Sequence, residues 1–165
     1  MKQYTLPDTA GNDVTFPDGV SVVVFTCNHC PYALAWHDRL LAVASDYADR
    51  GVQTVLINPN DAERYPRDSY EAMRDRVERE GPWPAPYVHD ASQEVARAYD
   101  AKTTPDVYVF DADGQLRYRG APDADHMDDS LSADWLRAAL DAVLEGRDVA
   151  EPETPPVGCS VKWRQ

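Results

Sequence analysis

Residues 21–32 read SVVVFTCNHCPY. Val22, Val23, Val24 and Phe25 make a short continuous apolar run, mostly β-branched, of the kind a strand buried on both faces requires. Such a strand needs covering layers, and the next stretch supplies one. From Ala33 to Arg50, Leu34, Leu41, Ala44 and Ala48 recur at helical spacing, Asp38, Arg39, Ser45 and Asp46 fall elsewhere on the turn, and Gly51 is a helix stop. GVQTVLIN is a second strand, so residues 20–58 read as one β-α-β unit. Cys27 thus falls at the carboxyl end of the first strand and at the start of its helix, with Asn28 and His29 between it and Cys30.

The remaining elements extend this unit. Asp68 or Ser69 can cap a charged helix running through Met73 and Val77 to Gly81, which is expected to lie outside the core. YVHD is a short strand, and SQEVARAYDA a short helix capped by Ser92. DVYVF and QLRYRG flank Asp113-Gly114, a tight-turn pair, and so form an antiparallel hairpin. A last helix is capped by Ser132, carries an apolar stripe of Trp135, Leu136, Ala139, Leu140 and Val143, and ends at Gly146. YTLPDTAGNDVTF adds an N-terminal hairpin. The order predicts an α/β fold, a mixed sheet flanked by helices. Its 165 residues are one domain's worth of chain, with a proline-rich tail over residues 147–165.

Charge excludes some partners. With 29 acidic against 16 basic residues the formal net charge is −13, a surface that repels nucleic acid phosphates and anionic lipid head groups. Lysine is confined to Lys2, Lys102 and Lys162, and acidic runs such as DADHMDDS interrupt the loops, an acid-rich surface suited to a halophilic source. MKQYTLPDTAGNDVTF has no cationic stretch leading into an apolar core, and no stretch reaches the length of a membrane span, so a cytoplasmic protein is expected. There a close cysteine pair is catalytic or metal-binding rather than a structural staple.

The position of the pair suggests chemistry. Unpaired amide groups and the helix dipole at a helix start favour an anion, and hence a thiolate. In a C-x-x-C turn, Cys27 can attack a disulfide and Cys30 can displace the resulting mixed disulfide. Pro31 suits the first helical turn, and a protonated His29 would add positive potential to the thiolate. A zinc site would ordinarily need a second C-x-x-C or H-x-x-x-H, which the sequence lacks. His37 reads as a surface or satisfied histidine.

FTCNHCPY together with TTPDVYVF resembles the thioredoxin-like superfamily. NPNDAERYPRDSYEAM, PYVHDASQEVARAYDA, TTPDVYVFDADGQLRYRG and the terminal GCSVKW are similar to the peroxiredoxin-like redoxins, relatives of the alkyl hydroperoxide reductase and thiol-specific antioxidant group. The resemblance implies a thioredoxin-like fold with Cys27 and Cys30 as the redox pair and Pro105 as a cis-proline facing them. Thr104, Asn28 and His29 then line the substrate site, with the Thr104 backbone open to an extended chain. The chain also departs from these patterns. Thr26 stands where thioredoxins carry tryptophan, and SVVVF lacks their acidic residue, so proton handling must differ. In the peroxiredoxin P-x-x-x-T-x-x-C pattern, Cys27 takes the threonine position and Val23 the proline position, leaving the peroxidase site incomplete. Thr103 replaces a cysteine common among relatives.

Cys159 lies in EPETPPVGCSVKWRQ, a stretch too irregular for helix or sheet interior, which Val161 and Trp163 can anchor. Two readings stay open: a mobile third redox thiol, or a docked tail with an idle one. The overall expectation is a thiol-disulfide oxidoreductase whose redox centre is the cysteine pair itself, without another cofactor or resident metal. Its partners are a disulfide-containing protein or small thiol and an electron donor. The rivals are a thiol peroxidase and a copper or zinc carrier using Cys27, Cys30 and His29 or His37.

Overall fold

The apolar run at residues 21–25 is the middle strand of a five-stranded sheet. A computed structural model describes residues 1–165. In chain order its strands are β1 (Tyr4–Pro7), β2 (Asp13–Phe16), β3 (Ser21–Phe25), β4 (Gln53–Asn58), β5 (Tyr87–His89), β6 (Thr103–Thr104), β7 (Asp106–Phe110), β8 (Leu116–Gly120) and β9 (Cys159–Ser160). The helices are α1 (Pro31–Ala48), α2 (Tyr70–Glu80), α3 (Glu94–Tyr99) and α4 (Asp134–Leu144), with a 3-10 turn over Pro66–Asp68. The main sheet runs β5-β4-β3-β7-β8, with β3, β4 and β5 parallel and β7 and β8 antiparallel to their neighbours. This is the mixed, helix-flanked α/β sheet predicted. No helix is long and apolar enough to cross a membrane.

Every residue of β3 is buried because the sheet is covered on both sides. Successive side chains alternate between faces. Val22 and Val24 join Trp36, Leu40 and Val43 of α1 and Leu136 and Leu140 of α4. Val23 and Phe25 join Val95 and Tyr99 of α3, with Phe16 and Val161. The N-terminal hairpin forms as expected, β1 pairing with β2, and its Tyr4, Leu6 and Val14 pack on this second layer.

Several local expectations are corrected. Helix α1 starts at Pro31, and its buried stripe is Ala33, Trp36, His37, Leu40, Val43, Ala44 and Tyr47, while Leu34 is 46% exposed. The helix carries apolar residues around much of its circumference, so spacing alone left its phase ambiguous. Helix α2 is capped by Ser69, which accepts from the Ala72 amide at 3.1 Å, but it does not lie outside the core. Met73 is fully buried and Arg76 nearly so. Ser132 does not cap α4: Ala133 precedes the helix with φ 59°, and its amide is taken by Asp123 Oδ2 at 3.0 Å. Ser92 does not terminate α3 alone either, since buried Asp90 accepts from the Ala96 amide at 2.8 Å. At α3 and α4 the amides are taken by carboxylates 6 and 10 residues upstream, outside the spacing of a local capping motif.

The tail is docked, and part of it, expected to be too irregular for a sheet, is a strand. Cys159 and Ser160 form β9, antiparallel to β6, with Thr104 opposite Cys159 and Thr103 opposite Ser160. Gly158 is needed for this approach, because a Cβ there would stand 2.3 Å from the Thr104 carbonyl oxygen.

Candidate active site

Proline fixes where helix α1 can begin, and so decides which sulfur sits at its head. Pro31 is the first helical residue and Cys30 the N-cap, so the helix-start position expected for Cys27 belongs to Cys30. Cys27 lies three residues earlier, just past the end of β3. The two cysteines pack together with Ala33 in one small cluster, and both residues are closed to solvent. Thr104 lies against both: its hydroxyl is 3.4 Å from Cys27 Sγ, and its carbonyl oxygen is 3.3 Å from Cys30 Sγ. The Thr104–Pro105 bond is cis, as the resemblance implied, and brings Pro105 to the site. Cys159 packs on the same cluster and meets the Cys30 sulfur.

The two thiols influence each other and shift in opposite directions. The bond from Cys27 is the largest influence lowering Cys30, to about 4, against burial, with help from the Cys159 thiol and the Ala33 amide. The same bond pushes Cys27 up, and burial adds to it. The Ala33 amide faces the Cys30 sulfur without completing a capping hydrogen bond. Cys30, expected only as the resolving thiol, is thus the sulfur whose ionisation is favoured, and its neighbour Cys27 does more to favour it than the helix start does.

The acidic group missing from the strand arrives from elsewhere. Asp68 is fully buried at the end of the 3-10 turn. It accepts from the Asn28 amide at 2.7 Å, from Asn58 Nδ2 at 3.1 Å and from Asn60 Nδ2 at 3.0 Å. His29 Nδ1 lies 2.6 Å from Asp68 Oδ2 without hydrogen-bond alignment. The His29 ring also stacks on Tyr65, with centroids 5.7 Å apart. The negative charge of Asp68 is one of the causes raising Cys27.

Asn28 orients the turn rather than facing open solvent. Its Oδ1 accepts from Arg76 Nη1 at 3.0 Å and from the Tyr87 hydroxyl at 2.8 Å, and its Nδ2 donates to the Arg67 carbonyl at 2.7 Å. Arg76 also donates to the Cys27 carbonyl at 3.3 Å. A groove of about 300 Å³ starts beside this turn, lined by Asn28, Leu34, Arg67, Arg76, Arg79 and Glu80 among others. Sequence reasoning missed Arg76, Tyr87, Asn58 and Asn60, and considered Asp68 only as a helix cap. The available signal was a run of polar residues, NPNDAERYPRD, directly after a buried strand.

Metal donors divide in the same way. Cys27, His29 and Asp68 have ligand atoms within 4.8 Å of one another. His37 is not among them: it is buried against Trp83 and lies 3.3 Å from Glu80. Of the two histidines proposed for a carrier site, only His29 stands beside the sulfurs.

With this geometry established, comparison with known proteins is informative. The AhpC/TSA family pattern matches residues 1–119. The chain belongs to the AhpC/TSA family. Two solved structures resemble almost the whole of this redoxin. An uncharacterized conserved protein from Geobacillus kaustophilus is 44% identical with a TM-score of 0.91, over 99% of this chain and 89% of that one. A hypothetical protein from Sinorhizobium meliloti 1021 is 37% identical with a TM-score of 0.90, over 99% of this chain and 92% of that one. A secreted Mycobacterium tuberculosis disulfide oxidoreductase homologous to Escherichia coli DsbE shares the fold at 21% identity, with a TM-score of 0.63 over 85% of this chain and 96% of that one. No curated protein sequence matches. Family membership points to oxidoreductase chemistry in general, and the shared fold is thioredoxin-like.

Proposed function

We propose that this redoxin is a thiol-disulfide oxidoreductase that cycles between a Cys27/Cys30 dithiol and a Cys27–Cys30 disulfide. The observation that carries the reading is the sulfur pair itself, packed in one buried cluster against Thr104, whose hydroxyl lies 3.4 Å from Cys27 Sγ and whose carbonyl oxygen lies 3.3 Å from Cys30 Sγ. Cys30 is hemmed in by Cys27, Cys159 and the Thr104 carbonyl, so Cys27 makes the attack.

The steps balance as follows. As a substrate disulfide approaches, Cys27 passes its proton to the Cys30 thiolate and attacks. A Cys27–substrate bond forms, the substrate S–S bond breaks, and one substrate thiolate leaves. The new Cys30 thiol is the species that donates to the Thr104 carbonyl. It then gives its proton to the departing thiolate and attacks the Cys27 sulfur, releasing the second substrate thiolate. A dithiol donor returns the two electrons. Substrates are disulfides of proteins or small molecules, and the groove beside Asn28 offers a small one room.

The test is a redox titration combined with turnover of a small disulfide by a dithiol donor. A reversible Cys27–Cys30 bond and turnover are expected, and Cys30→Ser should accumulate a mixed disulfide on Cys27. A pair that never forms the bond defeats the reading. Family membership favours thiol peroxidase as a second reading. In that case peroxide is consumed in steady state with a dithiol donor and small disulfides are not.

A further inference from the structure

The edge of Thr103–Thr104 is where an extended substrate chain would pair, and the protein fills it with its own C-terminal segment. The docking is specific. Val161 is buried, and its amide donates to the Lys102 carbonyl at 3.2 Å. The Lys162 carbonyl accepts from the Asp61 amide and from Gln93 Nε2, both at 2.9 Å. Asn60 Oδ1 takes the Lys162 amide at 2.9 Å, and Gln93 Oε1 takes the Arg164 amide at 2.9 Å. This held strand sets the third and last cysteine of the chain opposite Thr104 and packs it on the Cys27–Cys30 cluster.

The three thiols differ in one respect. Cys27 and Cys30 are both closed to solvent, whereas Cys159 is half-buried. A reductant approaching from outside meets Cys159 first. We propose that Cys159 is a third redox-active residue, through which a thiol reductant empties the buried disulfide. This rests on the reading above, because the starting species is the Cys27–Cys30 disulfide. In the step, the Cys159 thiol loses its proton to solvent and its thiolate attacks Cys30. The Cys30–Cys159 bond forms, the Cys27–Cys30 bond breaks, and Cys27 leaves as the thiolate. No electrons enter or leave the protein. A dithiol donor then attacks the half-exposed Cys159 sulfur and leaves the protein fully reduced.

The electrostatics suit an exchange that waits for oxidation. In the reduced protein Cys159 is pushed up to about 11, first by burial and then by its bond to, and the charge of, Cys30. Once Cys30 is held in a disulfide it carries no charge, and that part of the penalty disappears. Lys162, which favours the Cys159 thiolate, remains.

Two full-length variants test the proposal. Cys27→Ser, treated with one equivalent of dithiodipyridine, is expected to end as an internal Cys30–Cys159 disulfide without adduct, read by peptide mass mapping. Cys159→Ser is expected to keep the Cys27–Cys30 disulfide but to be reduced by dithiothreitol about ten-fold more slowly than wild type. Pyridyl adducts persisting on Cys27→Ser without an internal bond overturn the proposal, as does an unchanged reduction rate in Cys159→Ser. Absence of a Cys27–Cys30 disulfide in Cys159→Ser overturns instead the oxidoreductase reading on which it rests.

Discussion

Residues 21–30 and residues 158–163 both end at Thr104, one on each side of it, yet they are held in opposite ways. The first is a strand followed by a turn: five fully buried residues in the sheet centre deliver Cys27, and Pro31 then fixes Cys30 at the head of α1. The second is held at its edges. Its β9 has two residues, and its remaining anchors are single hydrogen bonds to Asn60, Asp61, Gln93 and Lys102 together with buried Val161. Burial over many residues is cooperative and strong, whereas each single hydrogen bond contributes only about 1 kcal/mol net. The protein thus keeps two of its sulfurs on a rigid element and the third on one that can be displaced.

The contrast breaks first if the strand side proves soft. Phe25→Ala removes a fully buried ring packed 5.4 Å from Tyr99 and 5.7 Å from Tyr108. It should cost about 3–5 kcal/mol in urea unfolding. A loss below about 1 kcal/mol would mean that the central strand is not the rigid side.

Asp68→Asn tests the polar clamp between the two. The replacement turns an acceptor of three N–H groups into one that also presents donors, at an expected cost of about 1.5–3 kcal/mol. It also removes a charge that raises Cys27. Alkylation rate against pH should therefore show the second ionisation of the cysteine pair at lower pH in the variant.

Gly158→Val sharpens the tail side. Its Cβ would collide with the Thr104 carbonyl, so β9 should lift away while the main sheet stays. Global stability should fall by no more than about 1–2 kcal/mol, with Trp163 emission shifting to that of an exposed indole. The accessible thiol count in the native protein should rise. Loss of the whole fold would show the tail to be integral instead.

The smallest effect concerns His37. Burial, then the nearby Arg76 charge, lower its pKa against the pull of Glu80 and Asp38. The folded state therefore favours neutral imidazole, while the unfolded chain takes up a proton near pH 6.5. Stability due to this group is present above about 6.5 and is lost as the pH falls below it towards the lowered folded value. His37→Gln should flatten the melting temperature between about pH 7 and about pH 5, by the equivalent of at most about 1 kcal/mol. An identical pH slope in the variant would remove His37 as a cause.

The legible parts were those in which neighbouring residues carry their own signal. The apolar run at 22–25, the Asp113-Gly114 turn and Gly51 announced strand, hairpin and helix stop, and each formed where expected. Failures came where a partner lies far along the chain. Asp123 reaches the start of α4 from 10 residues away, and Asp68 reaches Asn28 from 40 away. Cys27 could not be distinguished from Cys30 as the charged sulfur, because the first ionisation depends on Thr104, Ala33 and Cys159 as well as on the turn.

By itself the sequence determined a covered α/β sheet and a pair of thiols at the junction of strand and helix, because period, β-branching and proline act within a few residues. Only the tertiary structure decided that Asp68 stands beside the pair, that Cys159 packs on it, and that the Thr103–Thr104 edge is filled by β9. Those arrangements depend on contacts across more than 50 residues of chain between Thr104 and Cys159, and short-range patterns carry no record of such distances.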